Sequence, residues 1–102
     1  MSSLVQTLEE ISRFLPASKA EWGGSRLIRL AVERLWIEAG NAAEEFRKAT
    51  GIESGVEPWA ELVAYRHRIA HALPGDLSSD RVWADSVSDL PRLLALVRVH
   101  LA

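Results

Sequence analysis

The residues best suited to chemistry lie in one short segment, between Tyr65 and Pro74, where Arg66 precedes His71 by five positions. An arginine keeps its charge at any ordinary pH, and its planar guanidinium matches the oxygens of a phosphate group. A histidine can accept or release a proton near neutral pH. The pair therefore suits cleavage of a phosphodiester, most simply an RNA backbone that carries its own 2′-hydroxyl nucleophile.

The spacing of this pair leaves its geometry open. Five positions on an ideal α-helix correspond to a rotation of about 140°, so Arg66 and His71 do not share one face. Either the helix loosens near Pro74 and His71 turns inward, or two copies of the chain pool their residues. In a purely structural interpretation, Arg66 pairs with a carboxylate such as Glu33 or Glu38, and His71 stabilises the negative C-terminal end of its helix.

A metal site is a further alternative. His67 and His71 are four positions apart on the same helix face, which is a spacing found among metal ligands. A third ligand would have to come from Asp76, Glu61 or His100. Two histidines on a helix are weak evidence for a metal centre, so we expect a site that uses no metal and no other cofactor.

The composition indicates one soluble globular domain, residues 1–102, with 48% hydrophobic residues and 25% charged residues. A formal charge of −2 favours a small local site over a broad nucleic-acid-binding surface, which is usually basic. The chain has no cysteine, and we find neither a signal-peptide pattern nor an apolar run long enough to span a bilayer. We therefore expect a cytoplasmic protein with no membrane partner.

Apolar residues recur with a period close to 3.6 along most of the chain, which predicts an all-α fold. We expect an antiparallel bundle of four main helices, with the four tryptophans in the core. Ser25 is predicted to cap the long second helix and Gly51 to end it, while Gly40 inside it would allow a close approach of another helix. The segment Asp89–Pro91 resembles a new cap and first turn, so the last helix is predicted to be divided there.

Three segments resemble the HepT-like branch of the HEPN ribonuclease toxins, which are small all-helical proteins. Leu30–Ala43 resembles the family's long second helix, with Gly40–Ala42 where the family usually has glycine, glutamate and alanine. Pro58–His71 resembles its signature helix, and Val82–Leu93 its closing segment. The three segments occur in the family's order and together span most of the chain, so the resemblance does not depend on the short arginine–histidine motif alone.

The resemblance implies a HEPN-like four-helix bundle that forms a homodimer, with the helix at roughly Glu57–Leu73 at or beside the interface. The RNA substrate would bind in the cleft between the two signature helices. Arg66 would hold the scissile phosphate, and His71 would act as general base or general acid without a metal. Family members are commonly encoded beside a minimal nucleotidyltransferase that serves as antitoxin, which we expect as the partner of this chain.

Two positions depart from the family pattern. His67 stands where the family usually has asparagine, and we expect it to support the site by a hydrogen bond to the phosphate or to a neighbour. Leu73 stands where the family has the tyrosine to which the partner enzyme attaches nucleotide groups, so an antitoxin must block this site in another way. Both departures agree with the alternative of a non-catalytic HEPN binding module that acts through a partner protein.

Overall fold

Every regular element in residues 2–72 and 78–101, which the computed structural model describes, is an α-helix. The predicted all-α fold is therefore confirmed. None of the helices in these two stretches combines the length and the apolar character needed to cross a membrane. The described residues do not include Leu73, Pro74, near which one alternative has the helix loosen, or the candidate ligand Asp76. The helices are α1 Ser2–Phe14, α2 Lys19–Gly23, α3 Arg26–Thr50, α4 Trp59–Ala70 and α5 Ser79–Leu101.

The ends of the helices follow from local chemistry. The Ser25 hydroxyl accepts a hydrogen bond from the backbone N–H of Ile28 at 3.2 Å, which caps the start of α3. The same helix ends where Gly51 adopts a left-handed backbone with φ of 72°, a conformation that favours glycine. Both of these predicted ends are confirmed. The Ser78 hydroxyl, just before α5, accepts a hydrogen bond from the backbone N–H of Arg81 at 3.3 Å.

The hydrophobic core forms around α3, which contacts α1, α2 and α4. Three of the four tryptophans, Trp22, Trp36 and Trp59, are completely buried, and Trp83 is partly buried against the same core. The prediction that tryptophans belong to the core is therefore confirmed for three of them. Each full burial of such a side chain removes a large apolar area from water and stabilises the fold.

The helix α4, which carries the candidate residues, runs antiparallel to α3. Trp59 at its start packs against Phe46 near the end of α3, with ring centroids 4.8 Å apart. Tyr65, further along α4, stacks on Trp36 in the middle of α3, with centroids 4.2 Å apart and ring planes at 12°. Later residues of α4 therefore contact earlier residues of α3, as expected for antiparallel helices. Of the helices that pack on α3, α4 makes the most extensive contact.

Two buried indoles attach α5 to the rest of the fold through neutral hydrogen bonds. Trp22 in α2 donates its ring N–H to the backbone carbonyl of Ser79 at 2.9 Å. Trp36 in α3 donates its ring N–H to the hydroxyl of Ser86 at 2.9 Å, and that hydroxyl in turn donates to the carbonyl of Val82 at 2.6 Å. Because both partners in each bond are satisfied, burial of these polar groups carries little penalty.

The predicted division of the last helix is wrong, because α5 continues through Pro91 from Ser79 to Leu101. A proline removes one backbone donor, but the buried residues Leu90 and Leu93 keep packing on both sides of it. Asp89 does not cap a new helix. Its carboxylate instead accepts a hydrogen bond from the hydroxyl of Tyr65 on α4.

Candidate functional site

Arg66 lies where α4 closely approaches α3, and a glycine makes this approach possible. A Cβ atom added to Gly40 would lie 2.4 Å from the Cβ of Arg66 and 2.9 Å from the backbone oxygen of Leu62. Neither atom belongs to the flexible end of a side chain, so no larger residue fits without separation of the helices. The prediction that Gly40 allows a close helix approach is confirmed, and the helix it admits is the one that carries Arg66.

The guanidinium of Arg66 contacts an amide and an imidazole. Its Nη1 donates to the side-chain oxygen of Asn41 at 3.1 Å, and its Nη2 lies 3.4 Å from Nε2 of His67. The alternative in which Arg66 pairs with Glu33 or Glu38 is wrong. Glu38 instead lies 3.5 Å from Arg34, and burial raises the pKa of Glu33.

His67 and His71 lie side by side on the exposed surface at the end of α4. Their ring centroids are 5.3 Å apart, and the ring planes differ by 25°. His71 is the residue that follows the last turn of the helix, where its backbone N–H donates to the carbonyl of His67 at 3.0 Å. Arg66 and His71 are thus connected through His67, although they lie on different faces of the helix. The structure brings all three predicted site residues into one continuous strip, which we call the Arg–His strip (Arg66, His67 and His71).

The neighbouring turn of α4 is held in place by Tyr65. Its hydroxyl donates to the carboxylate of Asp89 at 2.5 Å, and the guanidinium of Arg68 lies 4.6 Å from its ring centroid. Burial and this hydrogen bond to Asp89 raise the pKa of Tyr65 well above its ordinary value, so the hydroxyl stays protonated and keeps donating. With Trp36 stacked on the same ring, Tyr65 limits rotation of α4 and keeps the Arg–His strip facing outward.

Two other arginines at the contact between α4 and α5 are bound by carboxylates. Arg68 lies 3.5 Å from Asp85, and Arg92 is bound by both Glu61 and Asp89. Among the described residues, no carboxylate lies within ion-pair distance of Arg66, and Glu44, which interacts with its charge at longer range, is bound by Arg47. The charge of Arg66 is therefore available to an anionic ligand, with Asn41 fixing the position of one of its nitrogens.

In the metal alternative, the structure places the two histidines side by side, but the described residues supply no third ligand. The described residues contain no group of three or more histidine, aspartate and glutamate side chains that could hold a metal ion. Glu61 is bound to Arg92, and the ring of His100 packs against Trp59 with centroids 5.7 Å apart. Both therefore lie at the other end of α4.

A separate pocket of about 190 Å³ also lies at that other end, near Trp59. Its walls include Arg47 and Glu44, and the hydrogen bond from Arg47 lowers the pKa of Glu44. Arg47 also donates to the backbone carbonyl of Ile52 at 2.7 Å. Both charged groups are thus occupied by structural contacts, and the pocket does not include the Arg–His strip.

Asn41 is the site residue whose role the sequence did not reveal. In the family that the sequence resembles, this position is usually a glutamate, and here an amide contacts the guanidinium without neutralising its charge. A polar residue directly after Gly40 was the available signal, since a close helix approach places the next residue beside the facing helix.

Comparison of the chain with protein-family models, with curated proteins and with solved structures finds no match in any of the three.

Proposed function

We propose that this protein is a metal-independent endoribonuclease of the toxin type, acting in the cytoplasm as a homodimer with a HEPN-like arrangement of its helices. The observation that carries the proposal is the Arg–His strip. It combines a guanidinium that forms no ion pair with a carboxylate of the described residues with two exposed imidazoles on the same end of α4. This combination suits a phosphodiester better than it suits a neutral or cationic substrate.

In the proposed reaction, the 2′-hydroxyl oxygen of one nucleotide attacks the adjacent phosphorus. Arg66 binds the non-bridging oxygens and stabilises the negative charge that develops on them. His71 removes the proton from the 2′-hydroxyl, or donates a proton to the departing 5′-oxygen. The new O–P bond and the broken P–O5′ bond leave a 2′,3′-cyclic phosphate on one product and a 5′-hydroxyl on the other.

A second copy of the chain would complete the proposed site. The reaction needs one group that removes the proton from the 2′-hydroxyl and another that supplies a proton to the departing 5′-oxygen. Two copies of His71 could divide these roles. Exposed apolar residues on α3 support such an association. Leu30 and Asn41 are eleven positions apart, which is about 20° on an ideal helix, and Leu27 beside them is 79% exposed. A partner that covers this apolar surface would lie on the side of α3 that carries Asn41, about 16 Å from it along the helix axis at Leu30.

We also propose a minimal nucleotidyltransferase as the antitoxin, on the family resemblance alone. Such a partner would act by covering the Arg–His strip, since Leu73 offers no hydroxyl to modify. The exposure of both histidines is compatible with direct occlusion of this kind.

Induced expression of the wild type beside Arg66→Ala and His71→Ala tests the proposed function through growth and RNA integrity. Arg68→Ala is the matched control, because Arg68 is a neighbouring arginine that pairs with Asp85. Wild type and the control should arrest growth and degrade RNA, and purified wild type should cut RNA in the presence of a chelator. Cleavage by folded Arg66→Ala or His71→Ala at the wild-type rate would exclude this site.

The second candidate function is a non-catalytic module that binds a partner protein through the same surface. The open, exposed position of His67 and His71 favours it, because a catalytic site usually excludes water from its reacting groups. If purified dimeric wild type never cuts RNA yet binds the nucleotidyltransferase through Arg66, the binding module is the better description.

A further inference from the structure

We propose that His67 and His71 form a two-ligand binding site for a divalent transition-metal ion such as Cu²⁺, Ni²⁺ or Zn²⁺, and that the bound ion inhibits the protein. The site differs from a catalytic metal centre, because the ion would occupy the nitrogens that the proposed reaction needs. Metal binding depends only on the two imidazoles, whereas the inhibition depends on the proposed function.

The spacing of the two rings is close to what one shared ion requires. Metal–nitrogen bonds of imidazole are about 2.0–2.1 Å long, and the ring centre lies about 1 Å behind the nitrogen. Two rings bound to one ion at 90–110° would therefore have centroids about 4.5–5.2 Å apart. The observed separation of His67 and His71 is 5.3 Å. Since both side chains are exposed, rotation about their own bonds can turn the nitrogens toward a common ion.

The ligand types select the class of ion. Neutral imidazole favours Cu²⁺, Ni²⁺ and Zn²⁺ over Mg²⁺ and Ca²⁺, which prefer oxygen ligands. The affinity should follow the order in which Cu²⁺ binds most tightly. The described residues bring no third histidine or carboxylate to the pair, so the proposal rests on the two imidazoles alone.

Arg66 opposes this binding and so provides a sensitive test of it. Its Nη2 lies 3.4 Å from Nε2 of His67, which places a fixed positive charge beside a nitrogen that would bind a cation. Asn41 holds the other guanidinium nitrogen at 3.1 Å, so the charge stays close when His67 turns toward the ion. Removal of this charge should therefore strengthen metal binding, the opposite of its expected effect on RNA cleavage.

Calorimetric titration of the full chain with CuCl₂ and ZnCl₂, in a buffer that does not bind metals, measures the site directly. Wild type should bind one ion per chain. His67→Gln and His71→Gln should each bind at least about tenfold more weakly, because each loses one of two protein ligands. His100→Gln is the matched control and should bind as wild type does, since its ring packs against Trp59 at the other end of α4. Arg66→Gln should bind more tightly.

A second measurement covers the case in which a variant fails to fold. Paramagnetic Cu²⁺ added to wild type should broaden the ring signals of His67 and His71 and spare those of His100. Equal broadening of all three histidines, or wild-type affinity in the double variant His67→Gln/His71→Gln, would overturn the metal site.

The proposed inhibition by the bound ion is tested by measuring RNA cleavage with and without equimolar Cu²⁺, and again after addition of a chelator. Inhibition that the chelator reverses supports it, while unchanged cleavage with the metal bound refutes it. If wild type binds Cu²⁺ through the two histidines but never cuts RNA, the metal site stands and the proposed function fails.

Discussion

The substitution Gly40→Ala tests whether a single missing side chain positions the candidate site. The added Cβ would lie 2.4 Å from the Cβ of Arg66 and 2.9 Å from the carbonyl oxygen of Leu62, whereas ordinary contacts are 3.4–4 Å. The shortest contact therefore has to lengthen by about 1 Å, and it can do so only by movement of α4 away from α3.

The expected cost follows from two opposing effects. Overpacking of this kind destabilises a protein by about 1–3 kcal/mol, and the upper part of that range applies because backbone-linked atoms collide. Replacement of glycine by alanine inside a helix stabilises the folded state by about 1 kcal/mol, because alanine has the higher helix propensity. We therefore expect a net loss of about 2 kcal/mol, which lowers the melting temperature of a domain of this size by about 8–16 °C.

Thermal unfolding followed by circular dichroism measures this effect, with Gly23→Ala as the matched control. An added Cβ at Gly23 meets nothing within 4 Å, so that variant should melt at or slightly above the wild-type temperature. The double variant Gly40→Ala/Arg66→Ala should not recover, because alanine keeps the colliding Cβ at position 66. A Gly40→Ala protein as stable as wild type would refute the reasoning, since α3 and α4 would then not depend on the glycine for their approach.

Other expected outcomes concern the site and its support. Burial raises the pKa of the Tyr65 hydroxyl, so the folded protein should show no phenolate absorbance near pH 10, the ordinary tyrosine value. Its contribution to stability is complete below that pH and is lost as pH rises further, and Tyr65→Phe should remove this alkaline sensitivity. Arg66→Lys should fold but not cut RNA, because an ammonium cannot bind two phosphate oxygens as a fork; cleavage equal to wild type would count against bidentate binding. His71→Gln should lower the cleavage rate by about 10²–10⁴-fold while the fold persists, and a normal rate would mean that His71 only packs. Sedimentation should show a dimer at concentrations on the order of tens of micromolar, and a monomer there would contradict the shared site.

The helices and their ends could be predicted because they depend on neighbours in the sequence. Ser25 caps α3 through an N–H three residues later, and Gly51 ends it through its own backbone freedom. The spacing of apolar residues likewise placed Trp22, Trp36 and Trp59 in the core, since burial is a property of a helix face.

The contacts between helices could not be predicted in the same way. Asn41 and Arg66 are 25 positions apart, and their bond depends on how far α3 slides along α4. The continuity of α5 had a similar cause. Asp89 is a residue type that often caps a helix. Here its carboxylate instead accepts a tertiary hydrogen bond from the hydroxyl of Tyr65, 24 positions away. The rotation between Arg66 and His71 on an ideal helix predicted that the two residues would lie apart. That prediction did not consider the ring of His67, which contacts both of them.

The two kinds of attachment along α5 should differ in their response to ionic strength. Neutral indole hydrogen bonds, such as that of Trp36, join α5 to α2 and α3, whereas exposed ion pairs such as Arg92 with Glu61 join it to α4 and Lys19 with Asp80 join it to α2. Added salt screens partly exposed charges but leaves buried neutral bonds nearly unchanged. Salt should therefore weaken the ionic contacts of α5 while the indole hydrogen bonds still hold it on the core. The helix that carries the candidate residues would then lose its ionic contacts with α5 but keep its packing on α3.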